Sequence, residues 1–273
     1  YDLSTAGVER ARASGAGVLV TVDCGIRAHE AVDMAVTAGL DVIVTDHHTP
    51  GPTLPSAFAV VNPNRVDDTS GYGALCGAGV VFALVRALAE AAGYGLEDLL
   101  PDLDLVALAT VADLVPLEAT NRSLVRYGLR ALARTDKPGL RALLEVCDLV
   151  EAGVAPSGAP ALETGRVGFV LAPRINAVGR MGDAGDALRL LLSRDPAEAR
   201  GLAEALDEIN RRRREEDRRT LDEALEHLGA SYDPSRDYGV VLAADGWHPG
   251  VIGIVASRVV ERIHRPTVLI ALE

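Results

Sequence analysis

The chain has 273 residues, of which 27 are basic and 39 acidic, so its formal net charge is −12. This charge argues against a generally basic protein that coats nucleic acid, although local basic stripes could still bind it. Hydrophobic residues make up 48% of the sequence, which predicts a sizeable core. No apolar run approaches the roughly 18 residues that a membrane span needs, so we expect no membrane partner.

Cysteine usage indicates the compartment. Cys24, Cys76 and Cys147 are widely spaced and form no CxxC pair, which predicts a reducing, cytoplasmic setting without a disulfide framework. The sequence opens on Tyr1 rather than on Met, and an apolar run comes just before Glu273. We therefore expect an internal part of a longer protein.

Strand-like and helical segments alternate at the start of the chain. The pattern predicts a helix at residues 5–15, strands at 18–22 and 40–44 around a helix at 28–38, and a short strand at 57–61. A strand, a helix and a second strand in this order predict a parallel βαβ unit with a right-handed crossover.

The rest of the chain is predicted to be mostly helical. Helices are expected at residues 80–92, 99–117, 121–134, 138–148, 185–193 and 196–228, with strands at 238–243 and 267–272 and a helix after Trp247. Residues 172–184, which contain Gly, Asn and Arg, are expected to form a turn.

The domain organisation follows from one long, highly charged helix. A helix that is polar nearly all round often bridges domains, so residues 196–230 are expected to connect two domains. The first would cover residues 1–195, and residues 231–273 would begin a second α/β domain.

Metal-ligating residue types follow the first two predicted strands. Asp23 comes directly after one strand, and Asp46-His47-His48 follow the next. The carboxyl ends of parallel strands meet at one edge of a sheet, where open α/β proteins build their sites. Asp113 lies at the end of an apolar helix, where an unpaired carboxylate is costly to bury. Carboxylate and imidazole ligands together suit Mn²⁺ or Mg²⁺.

Each of these residues could also have a purely structural role that involves no metal. Asp23 could cap the following helix, and Asp46 could pair with a histidine in a buried network. Asp113 could be a cap or a paired buried charge. The joint pattern favours a site with two ions about 3.5–4 Å apart, which can activate water for phosphoryl transfer.

Arginines and one aromatic residue are candidates for phosphate and base contacts. Arg174 and Arg180 suit phosphate binding, because guanidinium groups match phosphate oxygens; the alternative is a solvated surface turn. Asn176 could hold the turn or donate to a phosphate. Trp247 could stack on a base or pack in a core, and His248 could hold a phosphate at a helix N-terminus. The run of residues 211–214 is expected to be a solvated, ion-paired face.

Five motifs in chain order resemble those of a known family. They are Val22-Asp23-Cys24-Gly25, Asp46-His47-His48, Ala112-Asp113-Leu114-Val115-Pro116-Leu117, Arg174-Ile175-Asn176-Ala177 with Gly179-Arg180, and Gly246-Trp247-His248-Pro249-Gly250. Together they are similar to the DHH phosphoesterase superfamily. The last two are more particular and resemble its RecJ-type exonucleases, which degrade single-stranded DNA in the 5′→3′ direction.

The resemblance implies an α/β fold: a parallel-sheet DHH phosphoesterase domain, a long connecting helix and the start of a DHH-associated domain. It also implies a phosphodiester hydrolase of DNA repair and recombination that uses two ions, usually Mn²⁺. Single-stranded DNA would be the substrate, and a single-strand-binding protein or other repair proteins would be partners. Further ligands of the family belong to an Asp-rich motif upstream of Tyr1, and a Gly-Gly-His motif follows beyond Glu273.

The resemblance also implies roles for individual residues. Asp23 would bridge the two ions, and His47 and Asp113 would ligate one of them. His48 would contact the scissile phosphate or the metal-bound water, and Asp46 would orient an imidazole, with His47 as the residue it is expected to support. The two arginines of the fourth motif would bind the 5′-terminal phosphate or the adjacent backbone.

Two other functions compete with this interpretation. The nearest is a hydrolase of short oligonucleotides or cyclic dinucleotides within the same superfamily. A different class is a DNA-binding scaffold without catalysis. The fourth motif and the long charged helix favour the exonuclease, and the intact Asp23, His47, His48 and Asp113 argue against the scaffold.

Overall fold

A computed structural model of the chain describes residues 2–151 and 160–272. The chain divides into two compact units. The first unit comprises residues 1–135 and 155–168, and the second comprises residues 136–154 and 169–273. The boundaries expected at residues 195 and 230 remain predictions.

The elements follow one another along the chain in this order. The first are α1 (Thr5–Ala13), β1 (Val18–Val22), α2 (His29–Thr37), β2 (Asp41–Thr45), β3 (Ala59–Val61), α3 (Gly77–Ala91), a 3₁₀ helix (Leu96–Asp102), α4 (Leu103–Ala112) and α5 (Ala119–Ala133). They are followed by α6 (Pro138–Val146), α7 (Thr164–Arg166), a π-helix (Val167–Leu171), α8 (Ala172–Met181), α9 (Ala184–Leu192), α10 (Pro196–Ser231), β4 (Val240–Asp245), α11 (Pro249–Ile263) and β5 (Thr267–Leu272).

The first unit contains a parallel sheet in the order β1-β2-β3, as the alternating pattern predicts. Val22 pairs with Thr45, and Thr45 pairs with Val61, so the three strands end at the same level. Val42 and Val44 of β2 are fully buried against α1 and α2 with the small apolar residues of those helices. Burial of this apolar surface is the main force that holds the strand ends in place.

The helix α4 is buried on most of its surface and packs on α5. A Cβ atom at position 128 would collide with the carbonyl of Leu103, so Gly128 allows the two helices to approach closely. The predicted helix at residues 99–117 is too long. A 3₁₀ helix containing Pro101 precedes α4, which ends at Ala112, and Leu114 has a left-handed φ of 58° that cannot continue an α-helix.

The second unit is built around α10, a helix of 36 residues. The parallel strands β4 and β5 and the helix α11 pack against its C-terminal half in one apolar cluster, which includes Trp247, Val251 and Val255. Its N-terminal half packs against α6, α8 and α9, with Ala199, Ala203 and Leu206 buried; α10 is therefore not polar all round.

The turn expected at residues 172–184 is wrong, because residues 172–181 form the helix α8. Pro173 suits the first turn of a helix, where its missing N–H is not needed. Leu171 and Val178 are fully buried and seven residues apart, and this apolar side of the helix outweighs the turn preference of Gly and Asn. Among the described helices, none is long and apolar enough to cross a membrane.

Candidate metal centre

The strand ends of the first unit bring the predicted ligands together. The backbone N–H of Asp23 donates to the carbonyl of Thr45 at 3.0 Å, and the N–H of Asp46 donates to that of Val61 at 3.1 Å. Each aspartate therefore continues the hydrogen-bond ladder one step beyond its strand. Because β1 and β2 are adjacent and in register, Asp23 and the Asp46-His47-His48 segment lie at the same edge of the sheet.

Four side chains converge at this edge. His47 Nε2 lies 3.0 Å from Oδ1 of Asp23 and 3.6 Å from Oδ2 of Asp113. Asp23, His47 and His48 each offer a ligand atom within 4.8 Å of the others. His47 Nε2 is buried and makes no hydrogen bond of acceptable geometry to any described residue.

A buried nitrogen without a hydrogen-bond partner needs a physical explanation, because such groups are rare in folded proteins. A divalent cation provides one, since the neighbouring carboxylates and this imidazole are the ligands that Mn²⁺ accepts. Partial burial raises the pKa of Asp23; His47 opposes the rise, and the nearby Asp113 adds to it by repulsion. A bound cation would relieve both costs, so the residues present fit a divalent metal.

Asp46 organises the segment rather than joining the cluster. It is buried, which disfavours its charged form. Hydrogen bonds from the backbone N–H of Ile26, from the His48 ring and from the N–H groups of His48 and His47 outweigh burial and lower its pKa. His48 Nδ1 lies 2.7 Å from Asp46 Oδ1, and this contact raises the pKa of His48. The imidazole that Asp46 orients is thus that of His48.

The backbone at Asp23 is unusual. Its φ of 62° lies in the left-handed region, which a non-glycine residue rarely occupies and which is often found at functional sites. The Asp23 side chain lies against the first residue of α3, where a Cβ at Gly77 would collide with it. Gly77 therefore leaves the space that the Asp23 carboxylate needs to face His47.

The sequence suggested that Asp113 is buried at the end of an apolar helix, but the structure shows that it is not. Its side chain is 40% exposed, because α4 ends at Ala112 and Asp113 is the C-cap. A carboxylate at a helix C-terminus faces the negative end of the helix dipole and gains nothing from it. Its place beside His47 Nε2 is consistent with a metal ligand.

Two asparagines support the histidine segment and were interpreted from sequence only as the end of a strand. The side-chain amide of Asn62 donates to the carbonyl of His48 at 2.9 Å, and that of Asn64 donates to the carbonyl of His47. Asn62 is buried. The Asn-Pro-Asn pattern that follows β3 was the available signal, since asparagine often bonds to backbone groups in turns.

Arg27 was also missed. A cleft of about 380 Å³ next to the cluster is lined by Asp23, Asp46 and His48 and by this arginine. Arg27 Nε donates to the carbonyl of Thr49 at 3.0 Å, which anchors the side chain and leaves its terminal nitrogens for a ligand. The only indication of this role in the sequence is a basic residue four positions after Asp23.

The fourth motif belongs to the second unit. Arg174 is largely enclosed: its Nε donates to Asp207 Oδ1 at 2.7 Å and its Nη1 to the carbonyl of Val170 at 2.6 Å. Asn176 is exposed on α8. Arg180 is exposed near the end of the helix, where its Nη1 lies 3.5 Å from the carbonyl of Gly250. Of the two arginines, Arg180 is the more available to a phosphate.

Trp247 is only 2% exposed and belongs to the apolar cluster of the second unit. Its Nε1 donates to Glu223 Oε2 at 2.8 Å. The structure supports the core-packing alternative and not base stacking, because a stacking platform needs an exposed ring face. His248 caps α11, with Nδ1 accepting from the N–H of Gly250 at 3.0 Å.

Comparisons with known proteins agree with the motifs. Residues 5–110 match the DHH family, N-terminal domain. The chain is 45% identical to the single-stranded-DNA-specific exonuclease RecJ of Dickeya dadantii (strain 3937), over 99% of this chain and 48% of that protein. It is 41% identical to RecJ of Bacillus subtilis (strain 168), over 95% of this chain and 31% of that protein. The chain spans about half the length of the first of these relatives.

Solved structures give the same result. A crystal structure of exonuclease RecJ bound to manganese matches with a TM-score of 0.84 and 38% identity, over 99% of this chain and 65% of that one. RecJ from Thermus thermophilus in complex with Mn²⁺ matches with a TM-score of 0.82 and 38% identity, over 98% of this chain and 38% of that one. The motifs, the parallel sheet and these similarities agree: residues 5–110 match the DHH family, and the chain is similar to RecJ exonucleases over nearly all of its length.

Proposed function

We propose that this chain carries the metal-dependent phosphodiesterase centre of an exonuclease that degrades single-stranded DNA from the 5′ end. The observation that supports this most is the convergence of Asp23, His48 and Asp113 on the buried Nε2 of His47, in a chain that resembles RecJ over nearly all of its length. We place the protein in the cytoplasm, in DNA repair and recombination, with single-stranded DNA and repair proteins as partners.

Asp23, His47 and Asp113 would hold the metal. The mixed oxygen and nitrogen donors suit Mn²⁺, with Mg²⁺ as the alternative. Bound ions would supply positive charge to the phosphate and make a nearby water more acidic. The buried position of His47 fixes its Nε2 towards both carboxylates without a competing hydrogen bond from the described residues.

His48 is the residue of the cluster best placed to meet the substrate. Its side chain is 60% exposed, whereas that of His47 is 12% exposed. Asp46 holds Nδ1, which leaves Nε2 free to donate a proton or a hydrogen bond to a phosphate oxygen. Arg27, anchored by Thr49 in the same cleft, adds a fixed positive charge for that phosphate.

In the second unit, Arg180 and Asn176 are exposed and would contact the backbone of the strand, while Arg174 would have to share its guanidinium with Asp207. His248 would contribute at the N-terminus of α11, where backbone N–H groups favour an anion. The burial of Trp247 removes it from this set.

A nuclease assay with Mn²⁺ tests the proposal. Single strands labelled at the 5′ end, the corresponding duplex and linear or cyclic dinucleotides are compared, with His47→Ala as the inactive control. We expect Mn²⁺-dependent release of mononucleotides from the single strand, little from the duplex, and none with the variant. Preferred cleavage of dinucleotides would instead identify the short-substrate hydrolase, and binding without any turnover would identify a scaffold.

A further inference from the structure

The arginine run at residues 211–214 of α10 is not one continuous ion-paired face. Arg211 and Arg212 both pair with Glu208 one turn earlier, and Arg212 Nε lies 3.9 Å from Glu208 Oε1. Farther along the helix, Arg219 pairs with Glu216 and Glu223. These arginines are exposed and neutralised within their own helix, as expected of a solvated surface.

Arg213 has a different environment. Its side chain is 13% exposed, its Nη2 donates to the buried Asn210 at 2.8 Å, and its Nη1 lies 3.8 Å from Asp217 Oδ2. Asp217 is buried and also pairs with Arg258 of α11, whose Nη2 lies 3.0 Å from the same oxygen. One buried carboxylate therefore holds two guanidinium groups from two helices.

Three more guanidinium groups act on Arg213. Burial lowers the pKa of Arg213; Asp217 opposes this effect, and Arg214, Arg180 and Arg258 add to it by repulsion. Arg180 comes from α8, whose end meets the start of α11: a Cβ at Gly250 would collide with the carbonyl of Arg180. Among the described residues, Arg180 and Arg214 have no ion pair.

The charge balance of this cluster is unusual for the chain. The buried carboxylate of Asp217 pairs with both Arg213 and Arg258, while Arg180 and Arg214 add positive charge nearby, although the whole chain carries −12. Like charges held together destabilise a folded protein unless an anion offsets them. The guanidinium groups of Arg214 and Arg258 remain exposed enough to reach such an anion.

We infer that Arg180, Arg214 and Arg258 form a binding site for consecutive phosphates of a nucleic-acid strand, with Asp217 and Arg213 as the buried support that positions them. Guanidinium groups bind phosphate oxygens in pairs, and three helices fix their spacing. The choice of nucleic acid as the bound polyanion rests on the proposed function. The site itself rests on the arginines grouped around Asp217.

Binding of a fluorescent oligothymidylate, followed by anisotropy in EDTA at several salt concentrations, tests the site without turnover. Arg214→Ala and Arg258→Ala should each weaken binding and reduce the slope of log affinity against log salt by about 0.7, the value for one phosphate contact on a single strand. Arg212→Ala on α10 and Arg262→Ala on α11 are matched controls, since both residues are exposed, and they should leave the slope unchanged.

Asp217→Asn tests whether the buried carboxylate positions the arginines of the phosphate site. It should reduce the salt slope in protein that is still folded by circular dichroism, and Asp217→Glu should restore it. Unchanged slopes for Arg214→Ala and Arg258→Ala, equal losses in the two controls, or no binding by the unmodified protein would overturn the inference. If Arg214→Ala and Arg258→Ala lose binding to the oligothymidylate but the unmodified protein shows no Mn²⁺-dependent hydrolysis, then the nuclease proposal fails and the phosphate site stands.

Discussion

The Nδ1 atom of His48 lies 2.7 Å from Oδ1 of Asp46, so a carboxylate that is 1% exposed fixes the ring of a histidine that is 60% exposed. Asp46→Asn replaces one carboxylate oxygen by an NH₂ group, which cannot accept the hydrogen bonds that now reach both oxygens. We expect Mn²⁺ affinity or turnover to fall by about 10–100-fold, as for other groups that orient a ligand. Metal titration and single-turnover hydrolysis measure the two effects separately.

Asp41→Asn is the control for this change, because Asp41 lies at the exposed start of the same strand. It should leave both quantities unchanged. If Asp46→Asn binds Mn²⁺ and hydrolyses DNA as well as the unmodified protein does, then the contact with His48 does not position the ring.

Removal of His47 should abolish metal binding at this centre. His47 Nε2 is the atom that both Asp23 and Asp113 approach, so His47→Ala removes a ligand and leaves two carboxylates that repel each other. We expect loss of measurable Mn²⁺ binding by calorimetry, and Asp113→Ala should weaken it as well. Asp33→Asn, at an exposed position of α2, serves as the comparison. Retention of full affinity in His47→Ala would disprove the ligand assignment.

Arg27→Ala should weaken substrate binding more than it slows the chemical step. Thr49 anchors the Arg27 side chain beside His48, so its loss removes a charged hydrogen bond to the phosphate. Such a bond contributes about 2 kcal/mol, which predicts an increase in KM of more than tenfold.

Arg12→Ala, an exposed position on α1, should have no effect on KM. Calorimetric Mn²⁺ affinity should also remain unchanged in Arg27→Ala, because Arg27 is not a metal ligand. A fall in kcat at constant KM would show that Arg27 acts in the transition state instead.

Gly77→Ala should destabilise the first unit and weaken metal binding together. The added Cβ would collide with the Asp23 side chain, and overpacking of this kind costs about 1–3 kcal/mol. The helical preference of alanine over glycine, about 1 kcal/mol, acts in the opposite direction but is smaller. Chemical unfolding gives the stability change, and calorimetry gives the Mn²⁺ affinity.

Gly201→Ala provides the contrast, because a Cβ at that position of α10 would meet no atom within 4 Å outside its own stretch of helix backbone. It should be neutral or stabilising. If Gly77→Ala raised the free energy of unfolding as much as Gly201→Ala does, then Asp23 would move aside without cost. Its position against α3 would then not be important for the site.

Sequence patterns predicted the sheet edge well, since alternation of strands and helices alone determines that Asp23 and the Asp46-His47-His48 segment meet there. They did not reveal the helix α8, where buried alanine and valine outweigh local turn preferences. They also did not distinguish Arg213 from Arg212. Adjacent residues on a helix point about 100° apart, and only the packing of α11 shows which of them is buried.

Side-chain partners were the least predictable part of the site. Asp46 was expected to support His47, yet the structure pairs it with His48, because the choice depends on ring rotamers that no spacing encodes. Asn62 and Asn64 bind carbonyl groups 14 and 17 residues away in sequence, and such contacts follow from the fold rather than from local pattern.

The left-handed backbone at Asp23 determines which substitutions can be interpreted at that position. Asparagine tolerates this conformation nearly as well as aspartate does, so Asp23→Asn removes only the charge and one oxygen. Alanine must also bear a conformational penalty of about 1 kcal/mol or more, and a β-branched residue a larger one. An alanine scan would therefore attribute to metal ligation a loss that belongs partly to the peptide backbone, and the asparagine variant separates the two.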